Sequence, residues 1–367
     1  MIETDLLVIG GGPAGLQAAL SAAGQGASVI LAERDPHLGG QLIKQTHMFF
    51  GSEKQHASVR GFRIAEILTR AVAAEPLIRV LNNATALGYF EDRSVALSHT
   101  GKLKVVAPKA IVLAAGAQEN TLVFPNSDLP GICGAGAVQT LMNVHGVLPG
   151  YRVAMVGAGN IGVIVSYQLL QAGVEVPIII EAQREIGAYH VHASRVRRMG
   201  VPIVTSHTVL EAQGRHSLER IIYAEVDANF NPVPGSEKEL AVDLLCIAVG
   251  LTPLNEILFQ AGCRMVYIPE LGGHVPLRNE RLETTVENIF VAGDAGAVEE
   301  ASTAMVEGSI AGLGAAFNLG YGEESYYDKL AEASDELEDL RRGPTGKKIW
   351  LGLNKLEKLK EAPSCLP

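Results

Sequence analysis

Cysteine, aromatic residues and basic clusters are scarce in this 367-residue chain, and each scarcity removes a class of function. The four cysteines, Cys133, Cys246, Cys263 and Cys365, form neither a CxxC pair nor a disulfide framework, so they read as reduced and mostly structural. A flavin disulfide reductase needs two neighbouring thiols and a ferredoxin-like cluster about four grouped thiolates. The spacing here offers neither. Aromatic residues make up 5%, with one tryptophan. The formal net charge is −10 and no Lys/Arg block makes a phosphate-tracking surface, which argues against nucleic acid. The apolar start Leu6-Leu7-Val8-Ile9 lacks a basic flank and is too short for a signal peptide core or a membrane span, so a cytoplasmic location is expected.

Glycine, by contrast, is abundant, with forty residues in an otherwise ordinary globular composition of 47% hydrophobic and 19% charged. Two fingerprints account for its placement: Gly10-Gly11-Gly12-Pro13-Ala14-Gly15 and Gly157-Ala158-Gly159-Asn160-Ile161-Gly162, each after an aliphatic, β-branched run. Each is followed by a second apolar run that ends in a carboxylate, Glu33 (with Arg34 next) and Glu181, at the spacing of about twenty residues expected of a Rossmann unit. The first glycine makes the strand-to-helix turn, the second lets backbone approach a pyrophosphate, and the third lets helix pack on strand. Phosphates then rest on unpaired N–H groups at a helix N-terminus, and the carboxylate accepts from adenosine ribose hydroxyls. Two dinucleotides are expected, with a Gly-rich turn kept for packing alone as the plainer alternative.

Along the chain, residues 5–9, 15–24 and 28–33 read as strand, helix and strand. Ala110 to Gly116 is an apolar strand ending in Ala114-Ala115-Gly116, followed by prolines that suit a domain crossing. The second βαβ unit spans Arg152 to Glu181, residues 243–249 read as a strand, and Gly250-Leu251-Thr252-Pro253 as a return crossing. Asn288 to Asp294 is a strand stopping at Gly293-Asp294, and Glu299 to Phe317 an Ala/Gly-rich helix that contains Ala301 and Ser302. From Glu323 to Asp339 the residues are acidic and helix-favouring, and from Arg341 to Lys360 basic around Trp350. Block charge reads as a solvated face, or more sharply as a docking tail for a partner protein.

With the opening glycine motif, Ala114-Ala115-Gly116 and Val291-Ala292-Gly293-Asp294 in order, the chain resembles the two-dinucleotide-binding flavoproteins typified by thioredoxin reductase and glutathione reductase. The resemblance implies an α/β fold of two nested Rossmann-like domains: an FAD domain (1–120 and 248–322) around an inserted NAD(P)-binding domain (121–247), then a helical C-terminal tail (323–367). The stretch after Gly293-Asp294 is too short for the interface domain of the glutathione reductase branch, and the paired redox cysteines of the thioredoxin reductase branch are missing. More specifically, residues 39–51 (Gly39-Gly40-Gln41-Leu42 onward), Gly134 to Thr140 and Glu299-Glu300-Ala301-Ser302 resemble the α subunits of dye-linked L-proline dehydrogenases, with sarcosine oxidase α and hydrogen cyanide synthase subunits related.

By that analogy Gly10, Gly12, Pro13, Ala14, Gly15, Glu33, Arg34, Gly40, Gln41, Ala115, Gly116, Gly250, Gly293 and Asp294 serve FAD. Ala301 and Ser302 open a helix whose dipole would face the flavin pyrimidine, and Gly157, Gly159, Asn160, Ile161, Gly162 and Glu181 serve the second nucleotide. Lys44, Gln45 and His47 should approach the isoalloxazine edge, with Lys44 and His47 as the catalytic candidates; a solvated lysine and a packed histidine are their plainer alternatives. Glu181 favours NAD(H) over NADP(H) by repelling a 2′-phosphate, Arg184 works against that preference, and ATP would also suit the site. The resemblance implies a subunit of an amine or amino-acid dehydrogenase that works with a catalytic FAD subunit, an iron–sulfur subunit or both, in an oligomer. A stand-alone reductase of ferredoxin or quinone, and a nucleotide-holding scaffold, are the competing expectations. Tyr189-His190-Val191-His192 lacks the partners of a zinc shell, so no metal is expected, and Arg195, Arg197 and Arg198 read as a solvated helix face.

Overall fold

The computed structural model describes residues 1–49, 52–343 and 346–361; Phe50 and Gly51 of the 39–51 motif, and Cys365, lie outside the described residues. Two compact units emerge, one from residues 1–118 and from 252 onward, the other Glu119–Leu251.

The first unit is built on β1 (Ile2–Ile9), α1 (Pro13–Ala23), β2 (Val29–Ala32), α2 (Gly61–Ala74), β3 (Ile78–Leu81), β4 (Ala84–Tyr89), β5 (Val95–His99) and β6 (Lys102–Leu113). The sheet order is β3-β2-β1-β6-β5-β4. Leu6, Leu7 and Val8 of β1 and the whole of β2 are buried on both faces, as a parallel strand covered by helices must be. Strand β6 begins at Lys102, earlier than its apolar end suggests, because its polar first half pairs antiparallel with β5 while its second half runs parallel to β1.

The second unit starts near β7 (Ala117–Glu119) and continues through β8 (Ile132–Gly134), α3 (Ala135–Asn143), β9 (Arg152–Val156), α4 (Asn160–Gln171), β10 (Glu175–Ile180), α5 (His190–Arg198) and β11 (Ile203–Val204). A meander follows, β12 (His207–Gln213), β13 (Arg220–Glu225) and β14 (Lys238–Ala241), and then β15 (Leu244–Ile247). Its main sheet is parallel throughout, in the order β11-β10-β9-β15-β8. Sequence spacing separates Cys133 from Cys246, yet β8 and β15 set them in register side by side. Burial pushes both thiols up, so neither is a ready thiolate.

The chain returns to the first unit through β16 (Leu251–Pro253), α6 (Glu256–Gln260), β17 (Met265–Ile268), β18 (Gly273–Pro276) and β19 (Ile289–Val291), which pairs with β6. Helices α7 (Ala301–Asn318), α8 (Glu323–Arg341) and α9 (Lys347–Glu361) follow. The small residues of α7 have a packing reason: a Cβ at Gly308 or Gly312 would lie 2.1 or 2.3 Å from the carbonyl oxygens of Ala14 and Ala18 in α1. The charged C-terminal stretch is not a free tail over α8, because Tyr326, Ala333 and Leu337 are buried. Helix α9 sets Leu356 into a core of Ile268, Leu271, Val275 and Leu277, leaving Trp350 on the surface. No described helix is long and apolar enough to cross a membrane.

Candidate functional site

Both glycine loops have the geometry that their spacing demands. Gly10 and Gly157 adopt φ of +108° and +100°, and a Cβ there would lie 2.3 Å from the Ala114 oxygen and 2.1 Å from the Ala248 oxygen. A Cβ at Gly15 or Gly162 would sit 1.8 or 2.1 Å from the oxygen of the loop's own first glycine. The middle positions differ in kind. Nothing lies within 4 Å of a Cβ at Gly159, and at Gly12 only the Gly40 Cα, at 3.9 Å. That open space is where a pyrophosphate would lie.

The helices that follow present bare N-termini. Gly12 and Gly159 are N-caps without side chains, and neither α1, which starts at Pro13, nor α4 carries an acidic residue in its first turn. The unpaired N–H groups of their first turns, of which Pro13 has none, and their dipoles therefore have no acidic side chain of their own helix competing for them.

Each acidic residue is braced in the same way. Glu33 Oε2 accepts from Gly11 N–H at 2.6 Å and Oε1 from Asp35 N–H at 2.8 Å. Glu181 Oε2 accepts from Ala158 N–H at 2.7 Å and Oε1 from Gln183 N–H at 2.9 Å. A carboxylate has about four lone-pair sites, so each keeps acceptor capacity for ribose hydroxyls. The loops after them also match: Gly39 N–H donates to Gly11 O at 2.8 Å, and Ala188 N–H to Ala158 O at 2.9 Å. Asn160 Oδ1 fastens this second loop by accepting from Tyr189 N–H at 2.9 Å. Gly40, at φ +50°, lies against Gly12, Gln41 is exposed, and Ile161 is 40% exposed on α4. Arg34 and Arg184 are both exposed to solvent.

The first unit adds a further layer. Gly293 has φ +66°, and its hypothetical Cβ would meet Ala14 at 2.9 Å, which sets the turn after β19 directly on the first glycine loop. Ala115 and Gly116 leave β6 half-buried beside that loop, since Ala114 N–H bonds Ile9 O at 2.8 Å. Asp294 accepts from Glu299 N–H at 3.1 Å, and burial, reinforced by Glu299, Glu307 and Glu300, pushes its carboxyl up to about 7. Behind the turn, Glu307 Oε2 accepts from Gly293 N–H at 2.9 Å, and Glu307 Oε1 meets Arg278 at 3.1 Å and Arg341 at 2.7 Å. Ala301 opens α7 and Ser302 is buried in its first turn.

Lys44 ends a short 3₁₀ turn (Gly40–Lys44) and is half-buried, while His47 stacks on Phe49 with centroids 5.7 Å apart. Gly250 falls at the end of the second unit, and its carbonyl accepts from Asn120 N–H at 3.0 Å. His192 is buried against Tyr189 and burial lowers its pKa, whereas Arg195, Arg197 and Arg198 are exposed. Among the described residues no group of three metal-ligating side chains forms. Sequence reasoning missed Arg278, Glu307 and the role of Arg341, since lone charges in a chain carry no periodic signal. The matching loops, Leu38-Gly39 after Glu33 and Ile186-Gly187 after Glu181, do leave a sequence signal, as an internal repeat.

Comparisons with known proteins agree with this geometry. An opine oxidase subunit of Agrobacterium tumefaciens (strain Ach5) is 26% identical over 330 residues, covering 86% of this chain and 66% of that protein. The alpha subunit of sarcosine oxidase from Rhizobium meliloti (strain 1021) is 28% identical over 320 residues, covering 83% of this chain and 30% of that one. The chain thus spans about two thirds of the first relative and under a third of the second. Among solved structures, L-proline dehydrogenase from P. horikoshii superposes with TM-score 0.69 at 25% identity, covering 90% of this chain and 59% of that one. T. acidophilum thioredoxin reductase gives 0.70 at 18% identity over 87% and 99% of the two chains, a likeness of fold. The family described as pyridine nucleotide-disulphide oxidoreductase matches residues 4–308. Its cofactor set, FAD with a nicotinamide nucleotide, fits two loops that each leave room for a pyrophosphate over a bare helix start. With two Rossmann-type units on one plan, the chain belongs to the pyridine nucleotide-disulphide oxidoreductase family.

Proposed function

We propose that this chain is the FAD- and nicotinamide-binding subunit of an amine or amino-acid dehydrogenase complex of the proline or sarcosine type. The observation that carries the reading is the duplication: two glycine loops, each with an open middle glycine and a carboxylate braced by two backbone N–H groups. FAD, when bound, supplies hydride exchange with a nicotinamide and passes electrons on to an acceptor. The protein's part is position and electrostatics. Gly10, Gly12, Pro13, Ala14 and Gly15 bind the FAD pyrophosphate and Glu33 the adenosine ribose; Gly40, Gln41, Ala115 and Gly116 line its path. Gly293 and Asp294 hold the ribityl side, and the start of α7 at Ala301 and Ser302 aims its positive end at the flavin pyrimidine. Lys44 and His47 approach the isoalloxazine edge and tune it.

In the second unit Gly157, Gly159, Asn160, Ile161 and Gly162 take the nicotinamide nucleotide. Glu181 selects NAD(H) over NADP(H), because a braced carboxylate repels a 2′-phosphate. The partners are a second FAD subunit, an iron–sulfur subunit or both, and the complex is cytoplasmic and oligomeric. The relatives bearing subunit names support the multi-subunit part of this reading.

One observation favours a second reading. The braced Glu181 and open Gly159 suit an adenosine ribose and a diphosphate, both of which ATP also carries. The deciding experiment is anaerobic mixing of the purified protein with NADH and, separately, NADPH, following the flavin absorbance band by stopped flow. Prompt bleaching with NADH, and slower bleaching with NADPH, is the expected result. A flavin that stays oxidised with both would reassign the second site to a non-redox nucleotide.

A further inference from the structure

Helix α8 lies beyond residue 308, where the family match ends, yet its last residue enters the first unit's site. Arg341 grips Glu299 with two bonds, Nε to Oε2 at 2.9 Å and Nη2 to Oε1 at 2.5 Å, and reaches Glu307 Oε1 at 2.7 Å. Both carboxylates lead to the turn after β19. Glu307 accepts from Gly293 N–H, and the Glu299 backbone N–H donates to Asp294. The side chains of Arg278, Glu299 and Glu307 are 4%, 6% and 2% exposed, so water does little to screen them. Asp294, Glu299 and Glu307 bring three carboxylates to a place meant for a ligand with two phosphates, and Arg278 and Arg341 are the cations that offset them. The same helix also ties down residues 52–55, through Lys54 to Glu332 at 2.6 Å and Gln55 to Glu336.

We propose that Arg341 is a positioning residue for FAD, and that α8 is a clamp that locks the Gly293–Asp294 turn instead of a docking tail for a partner. The proposal rests on the reading that Gly293 and Asp294 hold FAD. Its physical content is specific. The guanidinium fixes the two groups that shape the turn, and it cancels charge that would otherwise repel the FAD phosphates. The next residue, Arg342, supplies a built-in control, because it pairs on its own helix, with Glu338 and Asp339, and is 66% exposed.

The test uses the full chain, stripped of flavin and titrated with FAD by flavin fluorescence well below the apoprotein's melting temperature, at low and high salt. Arg341→Ala is expected to weaken FAD by about ten- to hundredfold, the cost of leaving a buried charge unpaired. The loss should persist at high salt, because the carboxylates left without Arg341 are buried, while Arg342→Ala binds like wild type. Arg341→Lys keeps the charge but not the fork, and should recover part of the affinity. It also keeps the test alive should the alanine variant fail to fold, since wild-type affinity in a folded Arg341→Lys protein would overturn the fork's role. A lower melting temperature with unchanged FAD affinity in Arg341→Ala would overturn the proposal, leaving Arg341 a purely structural contact. Asp294→Asn separates the two layers: if it alone weakens FAD, the site assignment stands and only the clamp fails; if it too is silent, the assignment falls with the clamp.

Discussion

The two glycine loops repeat each other closely, and what each unit adds around its loop is where they part. Both have a first glycine under a carbonyl oxygen, an open middle glycine, and a carboxylate held by two backbone N–H groups. The first loop is then covered. Helix α7 packs its glycines on α1, Gly293 sits on Ala14, and the Glu307 cluster backs the turn. Glu33 is buried while Glu181 is only half-buried, in keeping with that extra layer. On the proposed reading the shared part takes the adenosine diphosphate moiety of each ligand, the added layer suits a tightly held FAD, and the more open loop a nicotinamide nucleotide that exchanges.

The largest expected effect breaks the shared part. Gly15→Ala would place a Cβ 1.8 Å from the Gly10 oxygen, a backbone clash that no rotamer relieves. The expected cost exceeds about 4 kcal/mol, with little folded protein recovered. Gly12→Ala is its partner experiment: its Cβ points into open space, so the apoprotein should melt near wild type while FAD binding is lost. Thermal unfolding of both apoproteins with FAD titration checks the pair. Equal stability losses would mean that the two glycines do not have separate jobs.

A smaller effect sharpens the difference between the units. Burial raises the Asp294 carboxyl from 3.8 to about 7, whereas in the second unit backbone N–H bonds from Asn231 and Asn229 lower the Asp227 carboxyl. The folded state therefore holds the Asp294 proton where the unfolded chain has released it. That contribution is complete below about pH 4 and is lost as pH rises to about 7, a swing of about 2 to 4 kcal/mol. Glu299, raised by burial and answered by Arg341, adds in the same sense. Denaturant unfolding of the apoprotein at several pH values should show the decline, and Asp294→Asn should flatten it. A slope unchanged in the variant would show that Asp294 titrates alike in the folded and unfolded states.

How much of this was legible in the chain follows from what a periodic pattern can encode. The strands around Leu6–Ile9 and Val29–Ala32, the turns at Gly10 and Gly157 and the acidic ends at Glu33 and Glu181 are local features, and the structure has them. Helix α1 starts at Pro13, two residues before the expected Gly15, because proline needs no N–H partner at the first helical position. Long-range side-chain pairing left no mark. Arg341 meets Glu307 across 34 residues, and Cys133 meets Cys246 only because β8 and β15 are neighbours in a sheet whose order the sequence does not state. The acidic stretch of α8 reads as solvated by composition, yet Tyr326, Ala333 and Leu337 are spaced to bury one face. Its moderate periodicity was outweighed by its charge.

The smallest expected effect concerns the carboxylate of the second loop. Glu181 accepts from the Ala158 and Gln183 N–H groups, and on the proposed reading its remaining lone pairs go to a ribose. Glu181→Gln keeps the size and one acceptor oxygen, so the loop should persist with a loss of about 1 kcal/mol in stability and in nucleotide binding. Removing the charge also removes the repulsion toward a 2′-phosphate, so the NADH preference over NADPH should narrow by about tenfold. The matching change Glu33→Gln has no competing 2′-phosphate form of FAD to admit, so it should alter affinity alone. Steady-state rates of flavin reduction with the two nicotinamides measure the first, and FAD titration the second. If Glu181→Gln leaves the ratio of the two rates untouched, selection at the ribose lies elsewhere, and the exposed Arg184, next to Gln183, becomes the side chain to change next.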